Sequence, residues 1–339
     1  MVKCGKGMAC MIYPMDPANK SSATGVFVKI NHDGTAIIYN GSTDLGQGSN
    51  TALTQIAAEV LTIPVEHIKF ITSDTEITPY DEGTGASRIT YVVGHALQEA
   101  CENAMKVLFT AASRVLGIAD PRKLYASDGY IYYDTFPSVN ISIKEAAWIS
   151  ERAHGFPVLG MATFATLSND PDPETGHARH FEKHIYATQI AEVAVDTDTG
   201  IVDITKFIAV HDCGRAINPM LLEGQIEGGI AMGIGQTFME EMVEDAVTGE
   251  LFNDSFADYL IPTALDMPWQ IVVDYVEIPD KEGPFGALGV SEPAPCPVAP
   301  AIANAIYDAI GVRFTSLPIT PAKILAALCD GKKTDRQPV

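Results

Sequence analysis

Two turn signatures, each set between short apolar runs, restrict this chain more than any other local feature. Asn31-His-Asp-Gly34 separates residues 26–30 from 35–39, and Asp196-Thr-Asp-Thr-Gly200 separates 190–195 from 201–204. Gly, Asn and Asp tolerate the positive φ of tight turns, while the flanking β-branched residues favour extended backbone. Both segments therefore read as antiparallel hairpins. Residues 239–243 and 250–252, around Asp245-Ala-Val-Thr-Gly249, form a third, weaker case.

Between these hairpins the apolar period changes to that of helices. In 49–61, Leu53, Ile56, Ala57 and Val60 share one face, and in 94–115 Cys101, Ala104, Leu108 and Ala111 do the same. Residues 300–310 place Ile302, Ile306 and Ile310 in register, and Thr320-Pro321 is a cap with Pro at the first position of a last helix ending near Leu328. Hairpins and helices mixed without regular alternation indicate an α+β fold: two lobes of mixed, largely antiparallel sheet with helices. We place the lobes at 1–160 and 161–339, with the Gly-, Pro-, Asp- and His-rich stretch 150–180 as their junction.

Composition excludes several classes. Against 43 acidic side chains stand 22 basic ones, a net charge of −21 that leaves no cationic footprint for a phosphate backbone. No apolar run approaches the roughly 18 residues of a membrane span, and the start is too short in apolar residues for a signal peptide, so a cytoplasmic protein is expected. The six cysteines include no Cys-x-x-Cys pair, which argues against a zinc or iron–sulfur cage on this chain; most read as core thiols.

Gly41-Ser-Thr-Asp-Leu-Gly-Gln-Gly-Ser-Asn50 follows a strand and opens a helix, where backbone N–H groups and the helix dipole can cradle an anion. It lacks the Gly-Lys-Ser/Thr of a P-loop and the third Gly of the dinucleotide fingerprint. A plain structural turn is the other reading. Gly83-Thr-Gly-Ala-Ser-Arg-Ile-Thr90 repeats the arrangement before a second helix, and Glu223-Gly-Gln-Ile-Glu-Gly-Gly229 puts Gly in a helical run, where each costs about 1 kcal/mol relative to Ala. Close approach of a helix or a cofactor would explain that cost.

Two further features invite chemistry. His177, His180 and His184 have a spacing like that of metal ligands, but they run from a loop into a strand, which scatters the rings and favours a solvated loop. Glu292 stands in Gly286-Ala-Leu-Gly-Val-Ser-Glu-Pro-Ala-Pro-Cys296, a lone carboxylate among small and apolar residues, suited to accept a proton. A Glu capping the next helix or paired with an Arg is equally consistent.

Taken in order, Asp44-Leu-Gly-Gln-Gly48, Thr84-Gly-Ala-Ser-Arg88, Asp212-Cys-Gly-Arg-Ala-Ile-Asn-Pro219, Gly224-Gln-Ile-Glu-Gly228 and Gly286–Glu292 resemble the xanthine oxidase family of molybdenum hydroxylases, in the C-terminal half of its molybdenum-binding subunit. The resemblance implies hydroxylation with oxygen drawn from water and Glu292 as the base. It implies cofactor contacts from Gly46, Gln47 and Gly48, from Ala86, Ser87 and Arg88, and from Gln225. Ser49, Asn50 and Thr51 would receive the phosphates of molybdopterin cytosine dinucleotide, whose molybdenum carries a sulfido or selenido ligand. Ser291 replaces the Gly of many relatives, a change too small to move the carboxylate. For Arg88 the cofactor is the expected partner rather than an anionic substrate. Tyr13 falls near the pocket aromatics of relatives, where it would touch substrate; a core or interface Tyr is the alternative.

The family's N-terminal molybdenum-binding half has no counterpart here, so a larger molybdopterin-binding chain is expected as partner, with an iron–sulfur subunit carrying 2Fe-2S clusters and a subunit carrying FAD. The expected substrate is a small nitrogen heterocycle, nicotinate giving 6-hydroxynicotinate with NADP as acceptor. A purine, an aldehyde or an aromatic acyl-CoA is the alternative, and a non-catalytic scaffold is the alternative from another class.

Overall fold

The computed structural model describes residues 1–15, 22–166, 172–177 and 183–329. Its elements begin with β1 (Val2–Met15), β2 (Ala23–Ile30), β3 (Ala36–Asn40), α1 (Ser49–Leu61), β4 (Ile68–Thr72) and α2 (Gly94–Leu116). A small sheet follows, β5 (Leu124–Ser127), β6 (Tyr130–Tyr133) and β7 (Asn140–Ser142), then α3 (Ile143–Arg152) and β8 (Val158–Ala165). The remainder is β9 (Lys183–Asp196), β10 (Val202–Asp212), α4 (Pro219–Phe238), β11 (Ile271–Val276), α5 (Val298–Ile310) and α6 (Pro321–Cys329). The mixed α+β class is as expected.

Two four-stranded sheets each back a core. In the order β4-β3-β2-β8, Val26, Val28, Ile30 and Ile38 face Leu53, Ile56 and Leu97 of α1 and α2. In the order β1-β9-β10-β11, Val193, Val195, Phe207 and Ala209 face Ile226 and Ile230 of α4 and Ile302 and Ile306 of α5. Both hairpins form as read, β2 with β3 and β9 with β10, and both are antiparallel. β3–β4 and β10–β11 pair in parallel.

Several expectations change. β1, which the sequence does not announce as a strand, pairs along its whole length with β9, so the opening residues of the 1–160 segment sit in the sheet of the other core. Gly5 and Gly7 are the reason α5 can lie on β1: a Cβ on either would stand 2.2 Å from the Ala305 backbone. β8 falls inside the stretch read as a junction, and it completes the first sheet instead. The third hairpin is reduced to one bridge, Glu244 to Leu251, because its acidic strands bury nothing. Cys4, Cys10, Cys296 and Cys329 are exposed, leaving only Cys101 and Cys213 as core thiols. Among the described residues no helix is long and apolar enough to cross a membrane.

Candidate active-site cleft

A cleft of about 650 Å³ opens where four segments from the two cores meet: 45–52 at the start of α1, 84–90 ahead of α2, 213–232 through α4, and 288–295 ahead of α5. Local chemistry places each. Asn218 caps α4 by accepting the Leu221 N–H at 3.0 Å, Pro219 takes the first helical position, and Asn218 Nδ2 donates to Gln55 Oε1 at 3.0 Å, tying α4 to α1. The Leu288 N–H donates to the Cys213 carbonyl at 2.9 Å, which docks the final segment beside β10.

Glu292 lies at this meeting point, half-buried. The Ser87 hydroxyl donates to Glu292 Oε2 and accepts from the Glu292 N–H at 3.1 Å, so one side chain holds both ends of the residue. Ala86 and Ser87 adopt φ of 51° and 56°, a left-handed pair that L residues avoid, and Gly289 abuts them. Neither alternative read for Glu292 forms. No cation pairs with it among the described residues, and Pro297, the N-cap of α5, leaves that helix without a side-chain cap.

Of the other expected residues, Gly46, Gln47, Gly48 and Ser49 line the cleft together with Ser87, Arg88 and Gln225. Gln225 Nε2 reaches the Ser291 hydroxyl at 3.3 Å, next to Glu292. Gln47 turns back on its own loop, donating to Ser49 Oγ at 2.9 Å while its oxygen accepts the Leu45 N–H. Ala86 does not line the cleft.

At two of the expected contacts the chain's own acidic side chains occupy the polar groups. The Arg88 guanidinium borders the cleft, yet it is drawn inward: Nη1 stands 3.0 Å and 3.1 Å from the two oxygens of Asp81, both side chains buried, and it also donates to the Gly83 carbonyl at 2.8 Å. That pairing holds the 81–88 loop, since a buried cation is held by its counter-ion. At the start of α1, Asp44 takes the place of an anion: it accepts from the Gly46 N–H at 2.9 Å with one oxygen and from the Asn50 N–H at 2.9 Å with the other. A phosphate at Ser49–Thr51 would meet that carboxylate, and Thr51 itself is exposed outside the cleft.

Tyr13 does not line the cleft. It packs beside Met15, Tyr91, Val92 and Leu288. Burial, with the nearby Glu292 and Cys296 charges, pushes its phenol up to about 12, which keeps it neutral. Of the three spaced histidines, His180 lies outside the described residues, and no group of three metal-ligating side chains occurs among those described.

Sequence reasoning missed Asp44, Asp81, Gln189 and His211. Gln189 and His211 carried a local signal, each a polar residue at an inward position of an alternating strand.

This architecture, a cleft walled by glycine loops between two sheet-backed cores, is that of a large-cofactor domain. The family model of the molybdopterin cofactor-binding domain matches residues 1–268. The putative xanthine dehydrogenase molybdenum-binding subunit XdhA of Escherichia coli (strain K12) is 33% identical over 326 residues, 94% of this chain and 41% of its own length. The aldehyde oxidoreductase molybdenum-binding subunit PaoC of the same organism is 30% identical over 92% of the chain and 40% of its own. Among solved structures, quinoline 2-oxidoreductase from Pseudomonas putida 86 superposes with a TM-score of 0.85 at 28% identity, over 97% of this chain and 42% of that one. The chain belongs to the molybdopterin-binding domain family of the xanthine oxidase type. It spans about two fifths of the length of these relatives.

The walls suit such a group. Where a Cβ added to Gly46, Gly85 or Gly228 would sit, no atom lies within 4 Å, so these backbones face open cleft. Glutamine, serine and main-chain groups beside them are neutral donors and acceptors of the kind a pterin's heteroatoms pair with.

Proposed function

We propose that this chain forms the Glu292-bearing part of a molybdenum hydroxylase subunit that inserts water-derived oxygen into an electron-poor ring carbon. The observation that carries the reading is Glu292 itself: a carboxylate at the junction of all four cleft segments, with Oε2 held by Ser87 and Oε1 without a partner among the described residues. A molybdopterin held between the two glycine loops and α4 supplies two-electron oxidation when bound. Gln47 and Gln225 are its proposed contacts from this chain, alongside the main chain of Gly46 and Gly48, with Ser49 and Ser87 shaping the floor.

The chain's own part is to hold and move a proton. Ser87 donates to Oε2 and fixes how the carboxylate points, leaving Oε1 to take a proton from water in the cleft. The flanking Pro293 and Ala294 are buried and leave little room for bulk water on that side. We take a nitrogen heterocycle as substrate, nicotinate foremost, with NADP as final acceptor; the relatives named above carry xanthine, aldehyde and quinoline in their names.

Electrons leaving the cleft need carriers, and the family resemblance assigns 2Fe-2S clusters and FAD to companion chains. The cytosine dinucleotide form of the cofactor, and a sulfido or selenido ligand on its metal, belong to the same proposal. In the complex purified from its source, Glu292→Gln should retain molybdenum and lose turnover by about 10²- to 10⁴-fold, the usual contribution of a general base. Unchanged turnover would remove Glu292 from the mechanism.

A further inference from the structure

Beneath the turn that carries Glu292 lies a polar pair in an otherwise apolar wall. Gln189 on β9 and His211 on β10 point with Ala187, Ala191, Ala209 and Cys213 into the core, at 0% and 1% exposure. Gln189 Nε2 donates to the Ala294 carbonyl at 2.8 Å and stands 3.1 Å from His211 Nε2.

The amide nitrogen has only protons to offer, so His211 Nε2 is the acceptor and the ring proton sits on Nδ1. Reversing the amide would set its oxygen against the Ala294 oxygen, so the assignment follows from the partners. Burial alone pulls the imidazole down to about 4, which keeps that acceptor lone pair available at neutral pH.

The arrangement is costly. Gln189 Oε1 and His211 Nδ1 are buried without a partner among the described residues, and an unpaired buried polar atom is destabilising. Two apolar side chains of the same shape would avoid that cost. What they could not do is grip the Ala294 carbonyl, two residues beyond Glu292, in a turn whose other side is held by Ser87. Ala294 is also pressed against α4, where a Cβ on Gly229 would lie 2.3 Å from its methyl group. The turn is thus fixed from three directions, by Ser87, by α4 and by the directional Gln189 bond.

We propose that Gln189, oriented by His211, is a positioning residue for Glu292: it anchors the 291–297 turn through the Ala294 carbonyl and so sets where the carboxylate points. This rests on the reading of Glu292 as the base.

The test uses the intact complex, with the wild type first screened on nicotinate, xanthine and an aromatic aldehyde to choose the assay. Gln189→Leu should keep molybdenum per copy and KM within about twofold, lower kcat about ten- to a hundredfold, and speed amide hydrogen exchange across 291–297. His211→Gln, which returns an acceptor oxygen to the Gln189 amide, should stay near wild type, whereas His211→Leu should not. The double variant Q189L/H211L should be no worse than Q189L, because His211 acts through Gln189. Wild-type kcat in Q189L, a kcat that falls only in step with molybdenum content, or losses that multiply in the double variant would overturn the proposal. So would failure of both Q189L and Gln189→Met to assemble, which would make the pair structural. Glu292→Gln run alongside separates the two ideas: turnover that survives in it sinks the base, while a dead E292Q beside a wild-type Q189L sinks only the positioning.

Discussion

A methyl group on Gly289 would stand 1.7 Å from the Ser87 carbonyl oxygen, in backbone already held at positive φ. Relief requires moving either Ser87 or the strand of residues before Glu292, and both hold the carboxylate. Gly289→Ala should therefore cost about 1–3 kcal/mol, the range of overpacked sites, and reduce turnover well beyond what that loss of stability explains. Thermal melting and turnover measured on one preparation decide it, and a variant with wild-type turnover would separate Gly289 from the Glu292 geometry. His211 makes a pH prediction. Its imidazole lies near 4 in the folded chain against 6.5 unfolded, so the unfolded state binds the extra proton between those values. Its contribution is complete above pH 6.5 and lost as pH falls through 4, a span of roughly 3 kcal/mol. His211→Gln, which cannot take up a proton, should flatten the fall in unfolding free energy between pH 7 and pH 4, read from urea titrations.

α4 separates two uses of glycine along one helix. Cβ atoms on Gly229 and Gly233 would meet Ala294 at 2.3 Å and Val298 at 2.4 Å, so these positions let the helix pack on the turn and on α5. Gly224 and Gly228 would meet nothing within 4 Å. Gly229→Ala should destabilise by a few kcal/mol, whereas Gly228→Ala should stabilise by up to about 1 kcal/mol through helix propensity while lowering molybdenum per copy. Melting temperature and metal content, moving in opposite directions for Gly228→Ala, are the measurement; unchanged metal content would take Gly228 out of the cofactor wall. The glycine cluster was visible as a cost in need of a reason, and the close approach it implied is real at Gly229; Gly233, one turn beyond that cluster, adds a second. Which glycines face a helix and which face the cleft depends on helix rotation, and no local pattern sets that. β1 escaped notice for a related reason: its outward residues include Cys4, Met8 and Ile12, and its partner β9 lies about 180 residues away, so no alternation or adjacent turn marked it.

Across the whole molecule the most exposed apolar side chains gather in 239–269, including Val247, Phe256, Leu265 and Trp269, the first three at 93%, 84% and 96% exposure. The same stretch carries eight acidic side chains and no Lys or Arg. A loop of this length, with one bridge and a single 3₁₀ turn at Ala264–Asp266, is usually a functional one, and exposed apolar side chains on this scale mark an interaction surface. A second copy of a chain at net −21 would be repelled there. The proposed companion chain should instead present a basic rim around an apolar groove. Phe256→Asp should release that chain in size-exclusion chromatography of the complex, and moderate salt should weaken the wild-type assembly; retention of the companion by the variant would place the interface elsewhere.

The hairpins, the helix periods and the order of the glycine motifs were legible in the sequence because each is encoded within about a dozen residues by turn chemistry and apolar spacing. The same locality made Glu292 stand out, and with it the family. Polar partnership was decided only by the tertiary structure. That Asp81 would claim Arg88, that Asp44 would fill the anion position at α1, and that Gln189 would grip Ala294 all depend on which segments meet. Ser87 and Glu292 are 205 residues apart, and a hydroxyl or a carboxylate has the same local signature whichever partner it finds. Burial drives the segments together without direction, and the directional bonds form only once they have met.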